Sequence, residues 1–357
     1  MRIGYFIPPA PLRAGGLDLA IAGLARELPL AGLEIVVEPA TLDGLDAVHL
    51  HGLWQPRFIR LARECRRRGL RYVVSPHGML EPWAWRHRWW KKWPYFYLRE
   101  RSVLNRAGAL LATSRIEASN LRRFRFSPSI VTLPLGLTCS KQVSYKEARA
   151  GLGWAAHEFV LLYLSRLHPK KGMHLLLAAL TSLNLDPDAY RLVVVGDGPE
   201  AYTRRLKRIA KANQAQLPRI DWLPAVWDDR KWSYLQGADL FCLPTYSENF
   251  GLAILEACQA GTPVLTTRET PWVEFLGRHG LPVAGPDAES IRGCLTRILQ
   301  AGKMHPVQRA NLASATRREF GWEHLRPGYR SLYEAASEFG VPGTFRGPNV
   351  NRENFNH

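Results

Sequence analysis

Two carboxylates, Glu248 and Glu256, stand on either side of the apolar run "NFGLAIL" in "PTYSENFGLAILEACQAGTPVLTT". A buried strand is expected to end at Pro244, and a helix to open near Phe250. The amides of Asn249, Phe250, Gly251 and Leu252 are then first-turn donors without intrahelical acceptors. Such donors point at an anion lying beyond the helix N-terminus. Gly251 lets a ligand come close to the backbone. A carboxylate accepts two hydrogen bonds from the vicinal diol of a ribose or a hexose. Two carboxylates flanking an anion site can therefore hold a nucleotide sugar at both ends. Taken alone, the pair favours a plainer reading, with Glu248 an ordinary cap neighbour and Glu256 solvated. Upstream, Arg166 follows the apolar strand "FVLLYL", and Lys171 lies five residues further on. A guanidinium grips phosphate oxygens in a bidentate fork, and an ammonium adds a point charge. Asp228-Asp229, the nearest candidates for a metal-holding carboxylate pair, open a predicted helix and read as cap residues. No metal and no cofactor are expected.

The elements that must position these residues alternate strand and helix. Strands are predicted at Arg2–Ile7, "LEIVVEPA", "LDAVHLHG", "RYVVSPHGM" and "ALLATS", with helices between them over 17–30, 58–70 and 115–124. After the mixed stretch "VTLPLGLTCSKQVSYKEARAGLGWAAHE" the alternation restarts with "FVLLYLSRL" and continues to "TPVLTT". Such alternation indicates two parallel-sheet α/β domains, each doubly wound. The chain's 357 residues also suit two cores better than one. Boundaries are expected at 1–140, an acceptor-side domain; 141–155, a link; and 156–320, a donor-binding domain. A C-terminal helix over 321–340 packs back on the first domain, and 341–357 is a mobile tail. Doubly wound sheets bind ligands beyond the carboxyl ends of their strands. The expected active site is the cleft between the two domains.

Five segments, in order, resemble the retaining glycosyltransferases of family 4, whose two-domain fold is called GT-B. "AGG" at 14–16 resembles the glycine loop near the donor phosphates, which puts Gly16 there. "SPHGM" places His77 at the position of the histidine beside the reacting sugar. "LYLSRLHPKKG" resembles the donor-phosphate loop, with Arg166 and Lys171 as its cations and Ser165 where glycine is common. "LVVVGDGPE" and "ADLFCLPTYSENFGLAILEACQAGTPV" match the next two segments. The resemblance implies that Glu256 binds the ribose hydroxyls and Glu248 those of the transferred sugar. The backbone of Asn249–Leu252 would support sugar and diphosphate, and His77 would bond the sugar near its anomeric centre. It further implies retention by front-face attack on a UDP- or GDP-hexose, with the leaving phosphate taking the acceptor's proton. Acceptors would be glycans or lipid-linked sugars of bacterial exopolysaccharide or lipopolysaccharide assembly. The chain departs from the pattern at "PLGLT", where Leu135 and Thr138 replace the usual Asn and Asp.

The net charge of +17 is uneven: residues 51–140 carry eighteen basic and four acidic side chains. That basic half contains "EPWAWRHRWWKKWPYFYLRERSVL". Here Trp83, Trp85, Arg86, Arg88, Lys91 and Lys92 are candidates for the acceptor or membrane side. Trp at a membrane interface with basic residues at headgroups is one role. Stacking on an acceptor sugar is another, and helical spacing also allows the tryptophans to be core. The rival reading is a basic nucleic-acid-binding or membrane-interface protein without catalysis. The segment's place just after His77 makes nucleic acid the weakest of these partners. His49 and His51 fit a packed histidine or an acceptor-site residue alike, and Asp197 fits a cap or a donor ligand. Scattered cysteines fit a reducing compartment. With no secretory or spanning segment evident, a cytoplasmic chain, peripheral on the inner face of the cell membrane, is expected.

Overall fold

The structure, a computed structural model, describes residues 1–9, 15–86, 89–137, 143–227 and 229–337. The chain divides into two compact units: Met1–Thr138 with the chain from Phe320 onward, and Cys139–Glu319.

The first unit is built on six strands: β1 (Arg2–Phe6), β2 (Glu34–Val37), β3 (Ala47–His51), β4 (Arg71–Ser75), β5 (Ala109–Ala112) and β6 (Ser129–Thr132). They lie in the order β2-β1-β3-β4-β5-β6, and every pair is parallel. β3 and β5 are buried along their whole length, as expected of parallel strands covered on both faces. Helices Gly15–Glu27, Pro56–Arg67 and Arg115–Arg122 connect them, with Ser114 capping the last through the Glu117 amide. The helix Trp322–Ser337 belongs to this unit and buries Tyr329, Leu332 and Tyr333. Gly136 admits it, since a Cβ there would meet the Trp322 ring at 2.5 Å.

The second unit repeats the plan with β7 (Phe159–Leu164), β8 (Tyr190–Val195), β9 (Arg219–Leu223), β10 (Leu240–Leu243), β11 (Val264–Thr267) and β12 (Val283–Ala284). The order is β12-β11-β10-β7-β8-β9, again all parallel. Both sheets are therefore doubly wound, as the alternation predicted. The stretch read as a link holds a helix, Tyr145–Leu152, started by a reciprocal capping box between Ser144 and Glu147. Its Arg149 is buried and pairs with Asp239 at 2.9 Å, which fastens this stretch to the second unit. Arg88, Thr138, Asp228 and the tail over 341–357 lie outside the described residues.

Candidate active site

In the second unit the strand order reverses between β7 and β10. Parallel sheets open a crevice at such a reversal, beyond the carboxyl ends of the two strands. The loops after these strands carry Arg166, Lys171 and Glu248. They are bound together: the Lys170 carbonyl accepts from the Tyr246 amide at 2.8 Å and from Thr245 Oγ1 at 2.9 Å. Gly172 makes this possible with φ 72°, and a Cβ on it would sit 1.8 Å from the Pro244 carbonyl oxygen. Gly196 does the same for the loop after β8, where a Cβ would lie 2.0 Å from the Ser165 carbonyl. The result is an ion pair between Lys171 Nζ and Glu248, both largely buried.

The next helix is Leu252–Gln259, with Gly251 at its N-cap in the left-handed region at φ 85°. A Cβ there would be strained, and it would stand 3.2 Å from Trp272 Nε1. Trp272 Nε1 donates to the Phe250 carbonyl at 2.5 Å and so fixes the residue before the cap. Glu256, one turn into the helix, is buried and accepts from Lys231 Nζ at 2.6 Å. Lys231 comes from the helix Arg230–Gly237, which begins after Asp229; Asp229 stands at the N-cap position, but its side chain makes no cap hydrogen bond. Arg166 is exposed just past β7. Two carboxylates, each matched by a lysine, thus bracket the start of one helix. Asp197 instead accepts from the Ala225 amide at 3.0 Å and ties two loops together. Among the described residues no cluster of three or more metal-binding side chains occurs.

In the first unit the order reverses between β1 and β3. Gly16 lies in the first turn of the helix after β1, while residues 10–14 of the glycine loop lie outside the described residues. His49 and His51 project from β3 on one face, being two residues apart in a strand. Both are wholly buried. Their rings stack at 3.8 Å between centroids, and His51 stacks in turn on His77 at 5.3 Å. His51 Nδ1 lies 3.0 Å from His77 Nε2. His49 is held by Ser75 Oγ and the Tyr333 phenol, both at 2.7 Å, and Tyr333 meets Tyr5 at 2.6 Å. Burial pushes His77 down to about 4 and holds His49 and His51 well below the usual histidine range. At neutral pH the three rings are uncharged, each with one donor and one acceptor nitrogen.

Residues 144–318 match the family of glycosyl transferases group 1, and residues 7–136 match the glycosyl transferase 4-like domain. The chain joins a 4-like domain to a group 1 glycosyl transferase domain. A curated relative from Segniliparus rotundus, D-inositol 3-phosphate glycosyltransferase, is 28% identical over 269 residues, which are 69% of this chain and 56% of that protein. The chain spans about half the length of the curated relatives it matches. The solved structure of sucrose-phosphate synthase from Thermosynechococcus elongatus superposes with a TM-score of 0.75 at 19% identity. It covers 94% of this chain and 98% of that one. The Anabaena protein HepE in complex with UDP and glucose gives 0.72 at 18%, covering 94% and 100%. These likenesses establish the GT-B fold.

His77 opens a turn after β4 with φ 51°, in a 4-like domain whose carboxylate Glu117 holds that turn. Glu117 Oε1 accepts from the Gly78 amide at 2.6 Å, and its Oε2 accepts from the amide and hydroxyl of Thr113 at 2.8 and 2.9 Å. Burial outweighs these bonds and raises the Glu117 carboxyl to about 7. Beyond the turn, Trp83, Trp89, Trp90 and Trp93 are exposed. Trp85 points the other way, edge-on to Phe96 and Phe124 at 5.2 and 5.6 Å. It is half-buried, because the helix Pro82–Arg86 lays it against the apolar cluster. Lys92 reaches back to the Ala84 carbonyl, while Arg86 and Lys91 stay in solvent, Lys91 over the Trp90 ring at 4.8 Å.

Lys231 and Glu117 were missed by the sequence reading. Lys231 lies 25 residues from Glu256 and gives no local signal. Glu117 had one: "TSRIE" has the S-x-x-E pattern of a capping box. The pattern locates the helix start, but the Glu117 side chain turns inward to another loop.

Proposed function

We propose that this chain transfers a hexose, with retention, from UDP- or GDP-hexose to a hydroxyl of a glycan or lipid-linked acceptor. The observation that carries the reading is the pairing at the β7/β10 reversal. Glu248 with Lys171, and Glu256 with Lys231, flank a glycine-capped helix start. In this reading Glu256 receives the ribose diol and Glu248 the hexose hydroxyls. The amides of the helix start, Arg166 and Lys171 stabilise the diphosphate as it leaves. Preorganised donors aimed at developing charge are worth most where water is excluded. The leaving phosphate takes the acceptor's proton on the same face, and a neutral His77 offers a hydrogen bond to the sugar. The cations and amides supply the charge the diphosphate needs, which supports transfer without a metal. The basic 4-like domain and its four exposed tryptophans support contact with an anionic membrane from the cytoplasmic side, in assembly of bacterial surface polysaccharide. No described helix is long and apolar enough to cross a membrane.

The test is thermal stabilisation by UDP and GDP, with Glu256→Ala and Arg166→Ala as controls, followed by product analysis. Donors would span UDP- and GDP-hexoses. Acceptors would include a lipid-diphosphate sugar and inositol 3-phosphate, the compound in the curated relatives' name. The reading expects stabilisation of the wild type that both variants weaken, and EDTA-insensitive transfer with an α-configured product from an α-donor. A wild type that no nucleotide stabilises would end it.

A further inference from the structure

Two cavities open on the helix Pro56–Arg67, and they differ in charge. The larger, about 540 Å3, includes Glu38 and Glu64 in its lining. Those acids pair with two of its four arginines, Arg57 with Glu38 at 2.8 Å and Arg67 with Glu64 at 3.3 Å. The smaller, about 100 Å3, lies between this helix and the segment Phe96–Asn105. Arg63, Arg66, Arg99 and Arg106 line it together with Ser102 and Leu98, and no acid does. All four arginines are exposed, and none has a side-chain ion pair or hydrogen bond among the described residues.

Four guanidiniums around one small space repel one another unless an anion sits among them. A water needs only about 10–15 Å3 of such space, so the pocket has room for a tetrahedral anion. Guanidiniums match phosphate in shape and charge, and Ser102 adds a hydroxyl donor. The second lining chemistry is apolar. Leu98 is 77% exposed, and Trp93 and Tyr97 beside it are also exposed. A π-helical stretch, Phe96–Glu100, produces this arrangement just after Pro94, which lacks an amide donor. It turns Phe96 and Glu100 inward and leaves Leu98 and Arg99 outside. A pocket that offers phosphate donors within and a bare leucine at its rim suits an amphiphile rather than a soluble polyanion.

We propose that this pocket binds the phosphate of an anionic phospholipid headgroup, with Leu98 entering the acyl boundary beside it. The proposal deepens the membrane contact suggested above by naming the lipid group that is held, and it does not depend on the donor site.

Cosedimentation tests it, using vesicles of phosphatidylcholine alone and vesicles one third phosphatidylglycerol. The wild type should bind the anionic vesicles, with affinity falling as salt rises. Each basic residue near such a surface contributes about 1 kcal/mol, so Arg66→Gln with Arg106→Gln should weaken binding about 30-fold. Arg63→Gln with Arg99→Gln repeats the test from the other two walls, should the first variant fold poorly. Leu98→Ala should weaken binding without changing its salt dependence. UDP stabilisation should be unchanged in all three, which separates failure here from failure of the transferase reading. Binding by both arginine variants equal to wild type would overturn the proposal, even if a Trp90→Ala, Trp93→Ala variant lost the membrane. Displacement from the vesicles by millimolar glycerol 3-phosphate or inorganic phosphate would overturn it too, by assigning the pocket to a soluble phosphate.

Discussion

His51 Nδ1 and His77 Nε2 lie 3.0 Å apart, so two neutral imidazoles share one proton between facing nitrogens. One nitrogen donates and the other accepts, and the choice sets the tautomer of both rings. His51 Nε2 is buried without a partner among the described residues, so this contact is the only hydrogen bond its ring makes there. This contact occupies His77 Nε2, so in the proposed reading the nitrogen left for a sugar is Nδ1.

His51→Phe keeps the ring stack and deletes this bond. A bond of about 1 kcal/mol that orients a reacting group should lower kcat roughly five- to tenfold. UDP stabilisation, which belongs to the other unit, should stay as in wild type. An unchanged kcat in steady-state kinetics would show that His77 is held by its turn alone.

Glu256→Ala strips Lys231 of its buried partner. Breaking such a pair on one side costs about 3 kcal/mol, because the remaining charge stays desolvated. Lys231→Met in the same chain should restore much of that stability in urea unfolding, since it removes the orphaned charge. Nucleotide stabilisation should remain lost in the double variant, because the carboxylate proposed to hold the ribose is gone. Recovery of nucleotide binding with Lys231→Met would assign the ribose to another group.

Glu117→Gln probes a carboxyl raised by burial from 4.5 to about 7. The folded protein holds this proton more tightly than the unfolded chain. The stability it contributes is complete below about pH 4.5 and is lost as pH rises toward about 7. At ~1.4 kcal/mol per pH unit, wild type should lose about 3 kcal/mol relative to the glutamine variant across that window. Denaturant midpoints of both proteins at pH 5, 6, 7 and 8 measure the difference. A constant gap would place the Glu117 carboxyl in its ordinary range.

Tyr333→Phe removes the hydroxyl that joins Tyr5 to His49. Two buried polar groups lose a partner, and destabilisation of about 2–3 kcal/mol should follow. A thermal melt within 1 °C of wild type, a margin far below the ~2–4 °C that each kcal/mol shifts in a unit of this size, would show that water substitutes for the phenol.

The alternation of apolar strands and periodic helices determined two doubly wound sheets, because parallel strands buried on both faces read as unbroken apolar runs. The shared placement of Glu248, Gly251 and Glu256 was legible for a related reason. Glu248, the glycine and Glu256 sit on one strand–loop–helix unit, so their relation is local and helix geometry converts spacing into position. Arg166 and Lys171 follow a strand end in the same way. The helix inside the stretch over 141–155 gave little signal, because it has only eight residues and its anchor, Asp239, is far away in sequence. What tertiary structure decided was pairing across distance. It set Lys231 against Glu256, Glu117 beneath the His77 turn, Tyr333 behind His49, and Trp85 inward while its neighbours face out. Each depends on which loops leave adjacent strands of a sheet. Strand order, unlike strand identity, is fixed by contacts far apart in the chain.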